Sequence, residues 1–137
     1  LADAYTLLGT IIRATMSPEE AAPKAKAAAE KAVQLNSNLS EAYTSLAWIK
    51  FRFDWDWAGA EKDFQKAIQL NPTYAQARHW YSEFLLTQRR YDEAVREIKI
   101  AHELEPFSAL IQWNYGKQLF YAKRYDEAFA EIEEASE

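Results

Sequence analysis

WDWAGAEKDFQKAIQLNP, residues 55–72, decides the fold, because its pattern returns twice further along the chain. RRYDEAVREIKIAHELEP, residues 89–106, and KRYDEAFAEIEEASE, residues 123–137, align with it without a gap. Aromatic, small and large apolar residues recur at one constant spacing: Trp57, Tyr91 and Tyr125; Ala60, Ala94 and Ala128; Phe64, Ile98 and Ile132; Ala67, Ala101 and Ala135. Recurrence at a fixed period of this size indicates a repeat protein.

A second family of segments lies upstream of these copies, and its members also align with one another: DAYTLLGTII, EAYTSLAWIK, QARHWYSEFL and LIQWNYGKQL. An earlier copy of the first pattern, PKAKAAAEKAVQLNSN, occupies residues 23–38. Apolar residues recur at helical spacing in both families, so each repeat contains two amphipathic helices. One such pair cannot bury its apolar face alone, which favours a stack of pairs.

This pattern resembles the tetratricopeptide repeat, a helix pair with an aromatic residue, small residues and a closing proline at fixed places. The resemblance implies an all-α fold, a right-handed α-solenoid of about four stacked helix pairs. It implies a single domain over residues 1–137, made of the repeats 2–38, 39–73, 74–108 and 109–137. We expect helices at residues 2–15, 23–36, 39–53, 57–70, 73–87, 91–104, 107–121 and 125–136.

Two copies are longer than the regular repeat. The second carries one extra residue within FRFDWDW, residues 51–57. The first carries about four extra residues in TMSPEEAAPK, residues 15–24. There, Ser17 followed by proline and two glutamates predicts a helix start. Pro23 predicts that the helix restarts or kinks at that residue.

Composition excludes several classes of function. The chain has no cysteine, which excludes disulfides and thiolate chemistry. Its net charge of −5, with both signs intermixed, argues against a nucleic-acid surface. No apolar stretch is long enough to span a membrane, and no signal peptide is visible. We therefore expect no nucleic-acid or membrane partner and a cytoplasmic location. Since the sequence begins at Leu1 without a methionine, we expect an excerpt of a longer chain.

Asp54-Trp55-Asp56-Trp57 has two interpretations, an acid–base or sugar-binding cluster and a helix boundary. The alignment places Trp57 at the start of a second helix, where its aromatic side chain would wedge between the paired helices, and Asp56 at the N-cap. Carboxylates that work as an acid–base pair face each other across a cleft, which an exposed turn does not provide. The structural interpretation is therefore favoured.

No other catalytic or metal-binding motif is present. His79 has Glu83 four residues later, a spacing that is more often a surface contact than a metal site. His102 lacks such a partner, and there is neither a glycine-rich phosphate loop nor a nucleophile elbow. We expect no enzyme activity, no catalytic residue, no metal and no cofactor.

The resemblance also implies a binding site. In tetratricopeptide repeat proteins the first helices of successive repeats line a concave groove. Carried onto this sequence, the candidate peptide-binding residues are Trp48, Phe51, Arg52, His79, Glu83, Trp113, Lys117, Phe120 and Tyr121. In the first repeat the corresponding places hold Asp3, Thr6, Thr10 and Arg13. One subset of the family clamps a C-terminal carboxylate with basic residues; the matching places here hold Thr6, Thr10, Ser45, Gln76 and Trp80, so that clamp is absent.

Three hypotheses follow. The leading one is a protein-interaction module that binds a peptide or a protein segment in the groove. The alternative is self-association, or packing against the rest of a longer chain, through the last helix, where Phe129 and Ile132 would be left partly exposed. Catalysis by Asp54 and Asp56 is the least favoured. DWDWAGAEKDFQKAIQLNP, residues 54–72, and RHWYSEFL, residues 78–85, also resemble repeat regions of bacterial multidomain signalling and regulatory proteins, whose other domain is a kinase, a cyclase or a winged-helix regulator.

Overall fold

A computed structural model describes residues 17–136, and all regular structure in that range is helical. The all-α prediction is therefore confirmed, while the predicted helix at residues 2–15 and the groove residues of the first repeat lie outside the described range. The helices are α1 Pro18–Leu35, α2 Ser40–Ile49, α3 Trp57–Leu70, α4 Ala75–Thr87, α5 Tyr91–Leu104, α6 Ala109–Tyr121 and α7 Tyr125–Ser136, with a π-helical turn at Lys50–Asp54.

The chain divides into two compact units between Leu70 and Asn71. In the N-terminal unit α2 packs against both α1 and α3, and in the C-terminal unit α4 to α7 each pack against the next helix along the chain. The turns between successive helices are short, so that packed neighbours run antiparallel. Among the described residues, α2 with α3, α4 with α5 and α6 with α7 are therefore packed helix pairs.

The recurring alanines and large apolar residues of α3 and α5 form the interior. Ala60 and Ala67 of α3, and Ala94 and Ala101 of α5, are completely buried. Phe64 and Ile98 are also completely buried, between these alanines in the sequence. At Gly116 of α6, an added Cβ would lie 2.6 Å from Ile132 Cγ1 and 3.2 Å from the carbonyl oxygen of Ala128. The small residues thus permit the close helix approach that the alignment suggests.

Helix α1 begins at Pro18, as the Ser17 signal predicts. The Ser17 hydroxyl accepts a hydrogen bond from the Glu20 backbone N–H at 3.3 Å, and the Glu20 carboxylate accepts from the Ser17 N–H at 3.3 Å. The prediction of a helix that starts at Pro23 is wrong, because α1 continues through Pro23 to Leu35. The reciprocal capping by Ser17 and Glu20 stabilises the first turn. The helix therefore tolerates the loss of the one backbone hydrogen bond that Pro23 cannot donate.

The extra residue of the second repeat lies in the π-helical turn. The residues with a left-handed backbone that follow the first helices are Trp55, Arg89 and Lys123, which keep the even spacing of the repeat. The N–H of Asp56 donates to the Lys50 carbonyl, whereas the N–H of Arg90 donates to Leu85 and that of Arg124 donates to Leu119. The loop closed at Asp56 is thus one residue longer. Residues 50–53, predicted as α-helix, are therefore π-helical because one more residue occupies the turn.

Candidate protein-interaction surfaces

In the N-terminal unit, the three predicted groove residues form one cluster at the end of α2. Trp48 and Phe51 meet edge to face, with their ring centroids 5.6 Å apart. The Arg52 guanidinium lies 5.5 Å from the Trp48 ring and 5.9 Å from the Phe51 ring. Both distances suit cation–π attraction, which holds Arg52 on the rings. Phe51 itself is buried, so that Trp48 and Arg52 supply the accessible part of this cluster.

In the C-terminal unit, polar side chains connect α4 to α6 and form a ladder. Asn114 Nδ2 lies 3.0 Å from His79 Nε2. Gln118 Nε2 donates to Ser82 Oγ at 2.9 Å, and Lys117 Nζ donates to Glu83 Oε1 at 3.0 Å. Each of these contacts joins residues 34 to 36 positions apart, which corresponds to one repeat. The ladder therefore fixes the register of the two first helices in this unit.

His79 is buried, with 5% of its surface exposed, so the predicted surface contact with Glu83 is wrong. The pKa of His79 is lowered from its usual value chiefly by this burial. The Lys117 ammonium lowers that pKa further, and the Glu83 carboxylate opposes both effects. His79 is thus held in its neutral form, in which one ring nitrogen can accept the hydrogen bond from Asn114.

Helix α6 presents apolar side chains outside the ladder. These residues, here called the α6 stripe, are Leu110, Trp113, Phe120 and Tyr121. Each is about half exposed or more, with Trp113 at 53%. Tyr121 stacks on Tyr91 with a centroid distance of 6.4 Å, and Phe120 meets Tyr125 edge to face at 5.2 Å. The aromatic end of the stripe is therefore held in place while half of its surface stays accessible.

The charges beside the α6 stripe are already paired. Lys117 and Glu83 form an ion pair with each other, and Gln118 Nε2 lies 3.4 Å from the same carboxylate oxygen. The structure thus places four predicted residues, Trp113, Lys117, Phe120 and Tyr121, on one helix and brings Glu83 to Lys117. Asn114 and Gln118 were missed by the sequence prediction. Their spacing of four residues was the available signal, since it puts two amides on one side of α6.

The aspartates of the 54–57 stretch have structural partners. Asp54 forms an ion pair with Lys26 of α1. One Asp56 oxygen accepts from the Gly59 N–H at 2.9 Å, which confirms its role as an N-cap. Trp57 is nearly half exposed, and so it does not fill the space between paired helices as the alignment suggests. The two carboxylates are engaged separately, which removes the geometry that acid–base chemistry requires.

Two features are absent from residues 17–136. No cluster of three or more His, Asp or Glu side chains there is arranged to hold a metal ion. Within the same range, no helix combines the length and the apolar character needed to cross a bilayer.

Comparison with known proteins identifies the repeat. Residues 56–112 match the family model described as tetratricopeptide repeat. No curated protein matches the sequence. A crystal structure of MamA protein is 22% identical, with a TM-score of 0.72 over 98% of this chain and 70% of that one. A structure of PilF from Pseudomonas aeruginosa is 24% identical, with a TM-score of 0.80 over 98% of this chain and 59% of that one.

At these identities, the solved structures show the fold, which confirms the predicted class of stacked antiparallel helix pairs, the α-solenoid class. The family model covers the third repeat and parts of its neighbours, the region in which the repeat period is most regular. Proteins built on this repeat typically mediate protein–protein interactions. Residues 56–112 of the chain therefore match the tetratricopeptide repeat family.

Proposed function

We propose that the chain binds a peptide or protein segment, and that the α6 stripe supplies the main contact in the C-terminal unit. The observation that carries the proposal is the exposure of Leu110, Trp113, Phe120 and Tyr121 on a helix whose opposite side is fully packed. Large, rigid aromatic side chains lose little conformational entropy when they bind, and they dominate interface energies elsewhere. Such a row of apolar residues on a monomeric surface marks a contact site.

The ladder supports this proposal by fixing the helices that carry the site. Because Lys117 pairs with Glu83, neither charge needs a partner from the ligand. The ligand that suits this surface contributes apolar side chains rather than a terminal carboxylate. In the N-terminal unit, Trp48 with Arg52 is the corresponding candidate, and Phe51 contributes by holding Trp48. His79 contributes through Asn114 rather than by direct contact, because it is buried.

Affinity capture from the source cell lysate tests the proposal. One bait is the unaltered chain, and a second carries Trp113→Ala with Phe120→Ala. A third carries Phe107→Ala, which removes a fully exposed aromatic residue from the turn before α6 and serves as the matched control. Circular dichroism and melting must agree among the baits.

We expect a protein that is retained by the first and third baits and lost from the second. That protein is then titrated against each purified bait, with at least a tenfold loss of affinity expected for the double variant, or about 1.4 kcal/mol. Equal retention by all three baits would refute a site on the α6 stripe.

Self-association through α7 is the second candidate, favoured by the exposure of Phe129. It predicts that the mass in solution rises with concentration and that Phe129→Ser abolishes the rise. Sedimentation equilibrium of both proteins measures this directly, and a strictly monomeric chain would exclude this candidate.

A further inference from the structure

The side of α7 that faces away from α6 is apolar at its centre and acidic around it. This surface, here called the outer face of α7, consists of Asp126, Phe129, Ala130, Glu133 and Glu134. Residues three and four apart share one side of a helix, so these five lie together. All are exposed, and Phe129 is 59% exposed. The face is separate from the α6 stripe, so it is a second candidate binding surface.

The chain itself shows how such a face is covered. Val95 of α5 occupies the place of Phe129 one repeat earlier, yet it is only 3% exposed. It belongs to a buried cluster that includes Ile111, Tyr115 and Leu119 of α6. Since these three residues are spaced by four, they line one side of α6. The cover of α5 is thus a helix with large apolar residues at positions i, i+4 and i+8.

Charge distinguishes α7 from α5. Helix α7 has five carboxylates and no Lys, Arg or His: Asp126, Glu127, Glu131, Glu133 and Glu134. In α5, Arg96 and Lys99 occupy the places held by Ala130 and Glu133 in α7. Among these carboxylates, only Glu127 forms an ion pair within residues 17–136, with Arg124.

The dipole of α7 adds to the negative potential of these carboxylates. Glu133 and Glu134 lie in the last turn of α7, where the helix dipole is already negative. A second copy of α7 placed on this face would bring two acidic helices together, which like-charge repulsion opposes. The charge therefore favours a basic occupant over a symmetric contact between two copies.

We propose that the outer face of α7 docks a basic amphipathic helix. Its large apolar residues, at i, i+4 and i+8, cover Phe129 and the half-buried Ile132, as α6 covers Val95 and Ile98. Its Lys or Arg side chains lie beside Asp126 and Glu133. In α6, Tyr121 is the residue that reaches the start of α5, where it stacks on Tyr91. A lysine at that place in the docked helix therefore lies near Asp126, which precedes Phe129 on the same side.

The chain supplies a design for the probe. A peptide based on α6, residues 109–121, keeps Ile, Tyr and Leu at the covering positions. It has Lys in place of Gln112, Asn114, Gln118 and Tyr121, which border that side of the helix, and Gln in place of Leu110, Trp113 and Phe120. A side-chain cross-link on the exposed side holds it helical. The control peptide is identical except that Glu replaces those four lysines. Fluorescence anisotropy measures the affinity of each labelled peptide for the full chain at low and high salt.

We expect the Lys peptide to bind at least tenfold more tightly than the Glu peptide at low salt, with the difference reduced at high salt. Phe129→Ala should weaken binding of the Lys peptide about tenfold, whereas Phe107→Ala should leave it unchanged. Glu133→Gln with Glu134→Gln should weaken it about threefold, and Glu103→Gln with Glu105→Gln at the end of α5 should not. Trp113→Ala should have no effect, which separates this face from the α6 stripe.

Several results would overturn the proposal. These are no binding of the Lys peptide, equal affinity of the two peptides, or no loss of affinity in Phe129→Ala. Sedimentation of the chain alone gives one more: dimerisation that Phe129→Ala abolishes would assign the face to a second copy.

Discussion

Asn114 Nδ2 lies 3.0 Å from His79 Nε2, and both side chains are buried between α4 and α6. A protonated imidazole carries hydrogen on both ring nitrogens, so it would turn one N–H toward the amide that now donates to it. Protonation and this hydrogen bond therefore exclude each other in the present arrangement. We therefore expect the packing of α4 on α6 to depend on pH.

The first prediction concerns this sensitivity. Burial lowers the pKa of His79 below its usual value of 6.5. Above pH 6.5 the imidazole is neutral in both the folded and the unfolded protein, so the fold has its full stability there. That stability is lost as the pH falls from 6.5 toward the lowered pKa. The His79→Gln variant keeps an acceptor for Asn114 but cannot titrate. Urea unfolding should show that the wild type loses stability relative to this variant below about pH 6.5. Parallel pH profiles of the two proteins would contradict the prediction.

The second prediction concerns Gly116. Alanine normally stabilises a helix relative to glycine by about 1 kcal/mol. Here the added Cβ would meet Ile132 Cγ1 at 2.6 Å, so that either the Ile132 side chain must shift or α6 and α7 must separate. We expect Gly116→Ala to lower the free energy of unfolding by about 1–3 kcal/mol. Ala130→Gly, at an exposed position of α7, measures the propensity effect alone. A Gly116→Ala protein more stable than wild type in chemical denaturation would disprove the close approach.

The third prediction concerns Lys123, whose backbone φ is 63°. The left-handed conformation costs a residue with a side chain about 1–2 kcal/mol of conformational free energy. Glycine has no such steric cost, but it loses more conformational entropy on folding. Lys123→Gly should therefore stabilise the fold by about 0.5–1 kcal/mol. Lys123→Ala removes the same charge and keeps the strain, so the comparison in thermal melts is between these two variants. Equal melting temperatures would mean that the turn is not strained.

The fourth prediction separates the two aspartates of the 54–57 stretch. Asp56→Ala removes the acceptor of the Gly59 N–H and should cost about 1 kcal/mol of stability. Asp54→Ala removes a partly exposed ion pair with Lys26 and should cost less than about 1 kcal/mol. Urea unfolding of both variants gives the comparison. A larger loss of stability in Asp54→Ala than in Asp56→Ala would contradict this prediction.

The second helices could be predicted from the sequence because their starts are marked chemically. An aromatic residue followed by Asp and Glu places acidic side chains in the first turn, and the predicted bounds 91–104 and 125–136 match α5 and α7. The first helices were predicted two residues too early at 73 and 107. There the chain makes a turn after proline, and the apolar pattern extends into that turn; in one case Asn71 Oδ1 accepts from the Thr73 N–H at 3.2 Å.

The candidate site was predictable only in part. Helical spacing is enough to place Trp113, Lys117, Phe120 and Tyr121 on one side of α6. Helical spacing does not predict which residues of a neighbouring helix contact that side of α6. The burial of His79 and its contact with Asn114 depend on the packing of α4 against α6, which a single helix pattern does not encode. The same holds for Phe51, predicted as a groove residue and observed as buried.

The extra residue between Lys50 and Asp56 carries a consequence for how this chain tolerates changes in length. Trp55, Arg89 and Lys123 remain in step although the second repeat is longer, because the surplus is confined to a single widened turn. An insertion at the end of a first helix therefore leaves the phase of everything downstream intact, whereas one inside α3 or α5 would rotate Phe64 or Ile98 out of the interior. Natural variants of this protein should accumulate their length differences at the ends of first helices, and that is also where a tag or a reporter loop could be introduced with least damage.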